Sequence, residues 1–497
     1  MGSVDAIYAE LTAHLRRVWV LESVGDHLGW DEQVNLPDGA AAQRAEQAAA
    51  LAGIAHAAVG DSRVGAWLGQ LAGAALTADQ RAVTKEAARD YARATQLPPE
   101  FVREKAAQAS LGYHAWAQAR AAADFASYAP VLETNLELAR REAAYLGRGD
   151  APYDYLLDQH DPGVTAAAVE RLFAELKLGL VPLASAIAAA APGHRRAPLA
   201  PCPEAGQRLL LREVTSRLGF DYRRGRLDVS LHPFCSGTGD DVRLTTRFKA
   251  DDPLSALFGA IHETGHGLYE QGLPAAHRGT ALSRHAGMAV HESQSRLWEN
   301  MVGRSRGFWR YFEPRLRELF PAQTAALTSE ALYSSINAVA PTLIRVEADE
   351  VTYNLHIILR FEIERRLFAG TLAVRDLPAA WNAASRDLIG LVPANDREGV
   401  LQDVHWSGGA FGYFPSYCLG NMIAAQLWDC ARALRPGLEA EFARGDFGWL
   451  LGWLRENVHV VGRRHDAFAL VRQVTGQDLS PQPLLRYLTE KYGHLRG

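Results

Sequence analysis

The chain has 497 residues, 48% of them apolar, enough to bury a large core, and length alone permits roughly two to four domains. Its formal charge of −5 is small for this size and no long basic run occurs, which argues against nucleic acid or an anionic membrane surface as partner and for a compact substrate. Cys202, Cys235, Cys418 and Cys430 form no C-x-x-C, which fits a reducing compartment and argues against thiolate zinc ligands. The start, Met1-Gly2-Ser3-Val4-Asp5, shows no signal-peptide character, and no stretch approaches the roughly 18 apolar residues of a membrane span. A cytoplasmic protein is expected.

Apolar residues fall at helical spacing from Ile7 to about Leu28, until Leu36-Pro37-Asp38-Gly39 breaks the pattern. Alanine-rich segments 40–58, 78–96 and 99–147 are also expected to be helical. Thr77 and Gln80 form a capping box ahead of the second, and Pro98-Pro99 separates it from the third, whose Phe101, Leu111, Trp116, Phe125, Leu132, Leu136 and Leu138 read as core packing. Tyr153 to Asp158 reads as structural, ahead of an Asp161-Pro162-Gly163 turn that leads into a helix at 165–191. Four prolines within 192–203 mark a surface loop, and a helix follows at 204–219.

The period then changes. Leu227, Val229 and Leu231 alternate, as do Val242, Leu244, Thr246 and Phe248, which predicts two strands joined through His232 to Gly239, the one convincing sheet in the chain. Asp241, Arg243, Thr245 and Arg247 share the opposite face of the second strand, a solvated face on pattern alone. A strand edge beside a metal site is suited to pairing with an extended peptide backbone.

Directly afterwards, His262-Glu263-Thr264-Gly265-His266 reads H-E-x-x-H. Asp252 and Pro253 supply an N-cap and a first-turn proline, Leu254, Leu257, Phe258, Ile261 and Leu268 an apolar stripe, and Gly272 with Pro274 a stop, so the motif is framed as a helix. Residues four apart on a helix lie one above the other, so the two imidazoles converge on one zinc ion, with Glu263 beside them. A catalytic zinc needs a third protein ligand. Glu270 lies about 12 Å further along the axis from His262 and is too far. The extended spacing that ends in a third histidine is absent, since Tyr269 and Gly272 occupy its glycine and histidine positions. That leaves a second helix, in which Glu292 of His291-Glu292-Ser293-Gln294 is the candidate, with Glu299 and His285 as competitors.

Two imidazoles and a carboxylate around zinc lower the pKa of a bound water toward neutrality, and Glu263 is placed to take its proton during attack on an amide carbonyl. Donors for the developing oxyanion are suggested between Gln402 and Tyr417, where His405 and Tyr413 flank a glycine-rich loop.

Taken together these segments resemble the carboxypeptidase Taq family of zinc metallocarboxypeptidases, the thermostable carboxypeptidase 1 group. The resemblance spans Leu28-Gly29-Trp30-Asp31, His232-Pro233-Phe234, Asp241-Val242-Arg243-Leu244-Thr245 (D-x-R-x-T), H-E-T-G-H and His291-Glu292-Ser293-Gln294. It continues through Arg345 to Glu350, Gln402 to Trp406 (Q-D-x-H-W) and Gly412 to Tyr417. It implies a mainly α, two-lobed homodimer with a deep groove and one small antiparallel sheet beside the zinc helix, similar in architecture to angiotensin-converting enzyme and neurolysin. One catalytic domain over 1–497 is expected, with its motifs within about 232–417.

The resemblance further implies one Zn2+ per chain, with Co2+ as a substitute, and peptide substrates with a free C-terminus, cleaved with broad side-chain tolerance and C-terminal proline disfavoured. By similarity His405 and Tyr413 look like oxyanion donors, Arg345 like the cation receiving the terminal carboxylate, and Arg243 and Asp241 like part of the groove end, with Tyr417 also a substrate contact. Without it, Arg345 reads as a helical salt-bridge residue beside Glu347, Asp349 and Glu350. The alternatives are a zinc endo-oligopeptidase with the same ligand set, and a catalytically silent scaffold, for which Glu263 would be dispensable.

Overall fold

A computed structural model describes residues 3–190, 199 and 201–496 and is mainly helical, with one small three-stranded sheet. The chain folds as two compact units, each assembled from three separate stretches. The first comprises Met1–Thr95, Ala197–Ile336 and Leu427–Asp478, the second Gln96–Arg196, Asn337–Gln426 and Leu479–Gly497.

Helices form at Val4–Val34, Ala41–Val59, Ala78–Gln96 and Glu204–Leu218, where the periodicity places them. The capping box closes in both directions, Thr77 N–H to Gln80 Oε1 at 2.9 Å and Gln80 N–H to Thr77 Oγ1 at 3.2 Å. Ser62–Leu71 is a further helix, to which the pattern assigned nothing. The run at 99–147 is two helices rather than one, Pro99–Ala122 and Phe125–Tyr145, and Leu111, expected in the core, is exposed on the first of them. Ala123 turns left-handed at φ 54°, and Asp124 caps the next helix through Ser127 N–H. An alanine at that turn gives no sequence signal, since glycine is the residue that usually marks it.

Ala166–Ala190 forms the helix expected at 165–191, and by length and composition it is apolar enough to cross a membrane, with a mean hydropathy of 1.6 over its best window. That corrects the expectation that no stretch approaches a span, because interspersed alanines raise the mean without making a continuous apolar run. Val169, Leu172, Phe173, Leu176, Leu180, Leu183 and Ile187 are buried at helical spacing, against helices Tyr353–Phe368 and Gln482–Tyr492 of the same unit. The proline-containing loop at 192–203 lies largely outside the described residues.

The sheet also departs from expectation. Its order is β1 (Gly225–Val229), β3 (Val242–Thr246), β2 (Cys235–Ser236). β1 runs parallel to β3, with Leu227 opposite Leu244, and only the short β2 is antiparallel to it. The expected antiparallel sheet is therefore mixed, since residues 230–241 form a crossover long enough to return the chain to the start of the pair. Thr245, expected on a solvated face, is wholly buried. Its Oγ1 accepts from Phe234 N–H at 2.9 Å and from Ser230 O–H at 2.7 Å, which fixes the His232-Pro233-Phe234 loop.

Helix Pro253–Gly272 packs on β3, where Thr246 Oγ1 donates to the Ala256 carbonyl at 3.1 Å, and Asp252 caps it through Ser255 N–H at 3.2 Å. Helices Glu204–Leu218 and Met288–Arg296 cover its other sides. Met288–Arg296 approaches at Gly265, where a Cβ would stand 2.5 Å from the Gln294 carbonyl oxygen and 2.6 Å from Ser295 Cα. Only a residue without a side chain permits that approach. Gly265→Ala is expected to lower stability by roughly 1–2 kcal/mol, because overpacking against backbone outweighs the gain in helix propensity. Urea unfolding checks this, and a variant more stable than wild type would contradict the packing account.

Candidate active site

The two helices that meet at Gly265 bring His262, His266 and Glu292 together, with their ligand atoms all within 4.8 Å of one another. Glu292 Oε2 lies 3.6 Å from His262 Nε2 and 3.5 Å from His266 Nε2. A tetrahedral ion with bonds of 2.0–2.1 Å separates its donors by about 3.3–3.4 Å, so this set fits a zinc-sized cation. The imidazoles are partly exposed while Glu292 is buried, which leaves an approach to the site from the histidine side. Glu299 and His285 are not members of the cluster.

Each histidine is oriented through its other nitrogen. His262 Nδ1 donates to Glu299 Oε2 at 2.9 Å, and Glu299 is held in turn by Arg296 at 3.3 Å and Arg304 at 3.1 Å. His266 Nδ1 lies 2.5 Å from His291 Nδ1, and His291 Nε2 lies 2.9 Å from Glu270 Oε1. The tautomers that satisfy this chain put a proton on both ligand Nδ1 atoms and leave both Nε2 lone pairs facing Glu292. Glu270 is thus too remote to join the cluster, as its position along the helix requires, but it anchors the histidine that orients His266.

Glu292 is itself fixed by Arg296 Nε at 2.7 Å and by Ser295 O–H at 3.0 Å. Burial opposes its charge, but Arg296 holds its carboxyl well below the usual range. Glu263, buried on the helix that carries the two histidines, is pushed up to about 7 by burial, with the Glu292 and Glu299 charges adding to the effect.

Asp241 and Arg243 sit at β3 and bind each other, Arg243 Nε to Asp241 Oδ1 at 2.8 Å and Nη2 to Oδ2 at 3.0 Å. The Arg243 guanidinium lies 4.0 Å from the centroid of the Trp30 ring. The second unit gathers Arg345, His405, Tyr413 and Tyr417. His405 Nε2 is 3.3 Å from Tyr417 Oη, the Tyr413 and Tyr417 rings meet edge to face at 5.1 Å, and Arg345 lies 5.2 Å from the Tyr417 ring centroid. Burial lowers the His405 pKa to about 4, so its imidazole is neutral at physiological pH.

Arg345 occupies a single 3-10 turn, Arg345–Glu347, rather than a regular helix, and its partner is Asp403, at 2.9 and 2.8 Å, rather than its acidic neighbours in sequence. Asp403 is shared with the wholly buried Arg360 at 2.7 Å. Burial opposes the Asp403 charge, but Arg360 and Arg345 hold its carboxyl well below the usual range. Two guanidiniums around one carboxylate leave an excess positive charge.

The family profile described as Carboxypeptidase Taq (M32) metallopeptidase matches residues 10–492. The chain belongs to this family. It is 42% identical over 508 residues to Thermostable carboxypeptidase 1 of Thermus thermophilus, a match covering 99% of each chain. Carboxypeptidase 1 of Bacillus subtilis is 39% identical over 84% of each. The crystal structure of the M32 carboxypeptidase from Deinococcus radiodurans R1 superposes with a TM-score of 0.95 at 45% identity, covering 99% of this chain and 100% of that one. Family membership makes the chain a peptide hydrolase that works with a divalent metal.

Sequence reading missed the groups behind the ligands: His291, Glu270, Glu299 and Arg304 around the imidazoles, and Asp403 with Arg360 around Arg345. Arg296, one turn after Glu292, was the available signal for a carboxylate held in place. Glu299→Ala is expected to weaken metal affinity about 10- to 100-fold by freeing the His262 ring, while Glu292→Ala loses the metal outright. Competition with a chromogenic chelator measures both, and an unchanged affinity in Glu299→Ala would show that His262 is oriented by something else.

Proposed function

We propose that the protein is a zinc-dependent carboxypeptidase that removes C-terminal residues from peptides by Glu263-assisted attack of water, with broad side-chain tolerance and C-terminal proline disfavoured. The observation that carries this reading is the convergence of His262 Nε2, His266 Nε2 and Glu292 Oε2 beside the buried Glu263. His262, His266 and Glu292 would hold zinc, or cobalt in its place, and the bound ion would supply the Lewis acidity that makes water nucleophilic near neutral pH. Glu263 takes the proton of the attacking water and passes it to the leaving amine nitrogen. Neutral His405 and the Tyr413 hydroxyl donate hydrogen bonds to the oxyanion. Arg345 receives the terminal carboxylate, for which the excess charge of the Arg345, Arg360 and Asp403 group is suited.

The Asp241–Arg243 pair, braced on Trp30, closes the groove end and limits substrate length, and Tyr417 contacts substrate beside Arg345. Four free cysteines suit a cytosolic location, where we expect a homodimer.

Glu263→Gln should keep its metal while kcat falls by at least about 10³-fold, since the base is lost and the ligands are not. Loss of stoichiometric zinc from that variant would sink the assignment of Glu263. Arg345→Ala should lower kcat/KM for a free-acid peptide roughly 30- to 1,000-fold, yet hardly further for the corresponding amide, which lacks the charge Arg345 receives. Equal losses for the two substrates would make Arg345 structural and reopen endopeptidase action.

A further inference from the structure

Within the second unit, a carboxylate that the reaction does not use ties down the segment carrying His405 and Tyr413. Glu364, on helix Tyr353–Phe368, has no exposed surface and accepts three hydrogen bonds. Trp406 Nε1–H donates to its Oε1 at 2.7 Å, while Gly412 N–H and the Tyr153 hydroxyl each donate to its Oε2 at 2.9 Å. Trp406 follows His405 and Gly412 precedes Tyr413, so one carboxylate holds both ends of the 406–412 loop.

Two other observations show that the loop is seated rather than loosely laid down. Gly412 has φ 74°, and a Cβ there would stand 2.7 Å from the Leu156 carbonyl carbon, so the backbones touch. His160 Nε2 lies 3.2 Å from the Phe411 carbonyl oxygen, and its ring packs edge to face on Tyr413 at 4.9 Å. The glycines of the loop supply little stiffness of their own, so its shape depends on these anchors. A buried carboxylate is costly in a core, and burial raises Glu364 to about 7 against the pull of its three donors and Arg360. A core built only for stability would be expected to carry an apolar side chain here.

We propose that Glu364 is a positioning residue that sets His405 and Tyr413 in their transition-state geometry by clamping Trp406 and Gly412, with Tyr153 orienting the clamp. This rests on the reading of His405 and Tyr413 as oxyanion donors given above. Because the donors act only as charge develops, their misplacement lowers kcat and leaves KM nearly unchanged.

The test is steady-state hydrolysis of one free-acid peptide by the zinc-loaded, full-length protein, comparing Glu364→Gln, Tyr413→Phe, His405→Ala and the double variant Glu364→Gln/Tyr413→Phe, with zinc content and thermal unfolding recorded for each. Glu364→Gln, whose amide must present a donor to donors, should lower kcat about 10- to 100-fold with KM within about threefold and zinc content unchanged. Added to Tyr413→Phe, the same change should cost clearly less than it does alone, because one of the two donors it positions is already gone. A lowered Tm with kcat intact, or the full loss repeated on top of Tyr413→Phe, overturns the inference. Impaired donor variants beside a fully active Glu364→Gln overturn the inference alone, whereas wild-type kcat in both Tyr413→Phe and His405→Ala overturns the donor reading and the inference with it. Should Glu364→Gln fail to fold, Tyr153→Phe takes its place, with a kcat loss of about 3- to 10-fold expected at constant KM. Unchanged kcat in that variant overturns the inference.

Discussion

A single buried carboxylate, Glu292, organises the first unit. Its burial is tolerable because donors on its own helix hold it, Arg296 Nε and the Ser295 hydroxyl, while the imidazoles of His262 and His266 face it from the neighbouring helix. The helices reach the required separation only where Gly265 lacks a side chain. The geometry of the metal site is therefore a consequence of helix packing, and any change that moves the helices apart disturbs packing and coordination together. Glu299 and His291 complete the arrangement by fixing ring orientation from behind, so the three ligand atoms are aligned by the protein itself.

The second unit follows the same logic with hydrogen-bonded ion pairs. Asp403 is shared by Arg345 and Arg360, Gln402 accepts from both the Arg345 amide and Arg360, and Glu364 gathers Tyr153, Trp406 and Gly412. Such networks are expensive, because each ionised group needs its full complement of partners once water is excluded. They supply rigidity where apolar packing would leave a glycine-rich segment free to choose among conformations. The family assignment and these networks are mutually consistent, since a hydrolase that stabilises developing charge needs donors fixed before the charge appears.

Much of this was readable in the sequence, for identifiable reasons. Helical spacing makes residues four apart neighbours, so H-E-x-x-H placed two imidazoles and Glu263 on one short segment, and caps such as Thr77 with Gln80 or Asp252 with Pro253 marked helix starts. Glu292 was the leading candidate because Glu270 lies too far along the helix and the extended histidine spacing is absent, with Glu299 and His285 left as competitors. Ala123 went unseen because alanine favours the helix it interrupts, and the sheet was given the wrong sense because alternation reports which face a side chain takes and is silent on strand direction.

What the sequence determined by itself is the set of local relations: the helical class, the spacing that sets His262, Glu263 and His266 on one helix, and, through an ordered series of motifs, the family. Tertiary structure alone decided the partners. Arg345 looked bound to its acidic neighbours in sequence and instead binds Asp403, His266 is oriented by His291, and Glu364 reaches Trp406 and Gly412 across a long stretch of chain. The physical reason is that spacing along a helix or strand constrains only a few residues on either side, whereas a buried charge takes whichever partners the packed core brings within hydrogen-bonding distance.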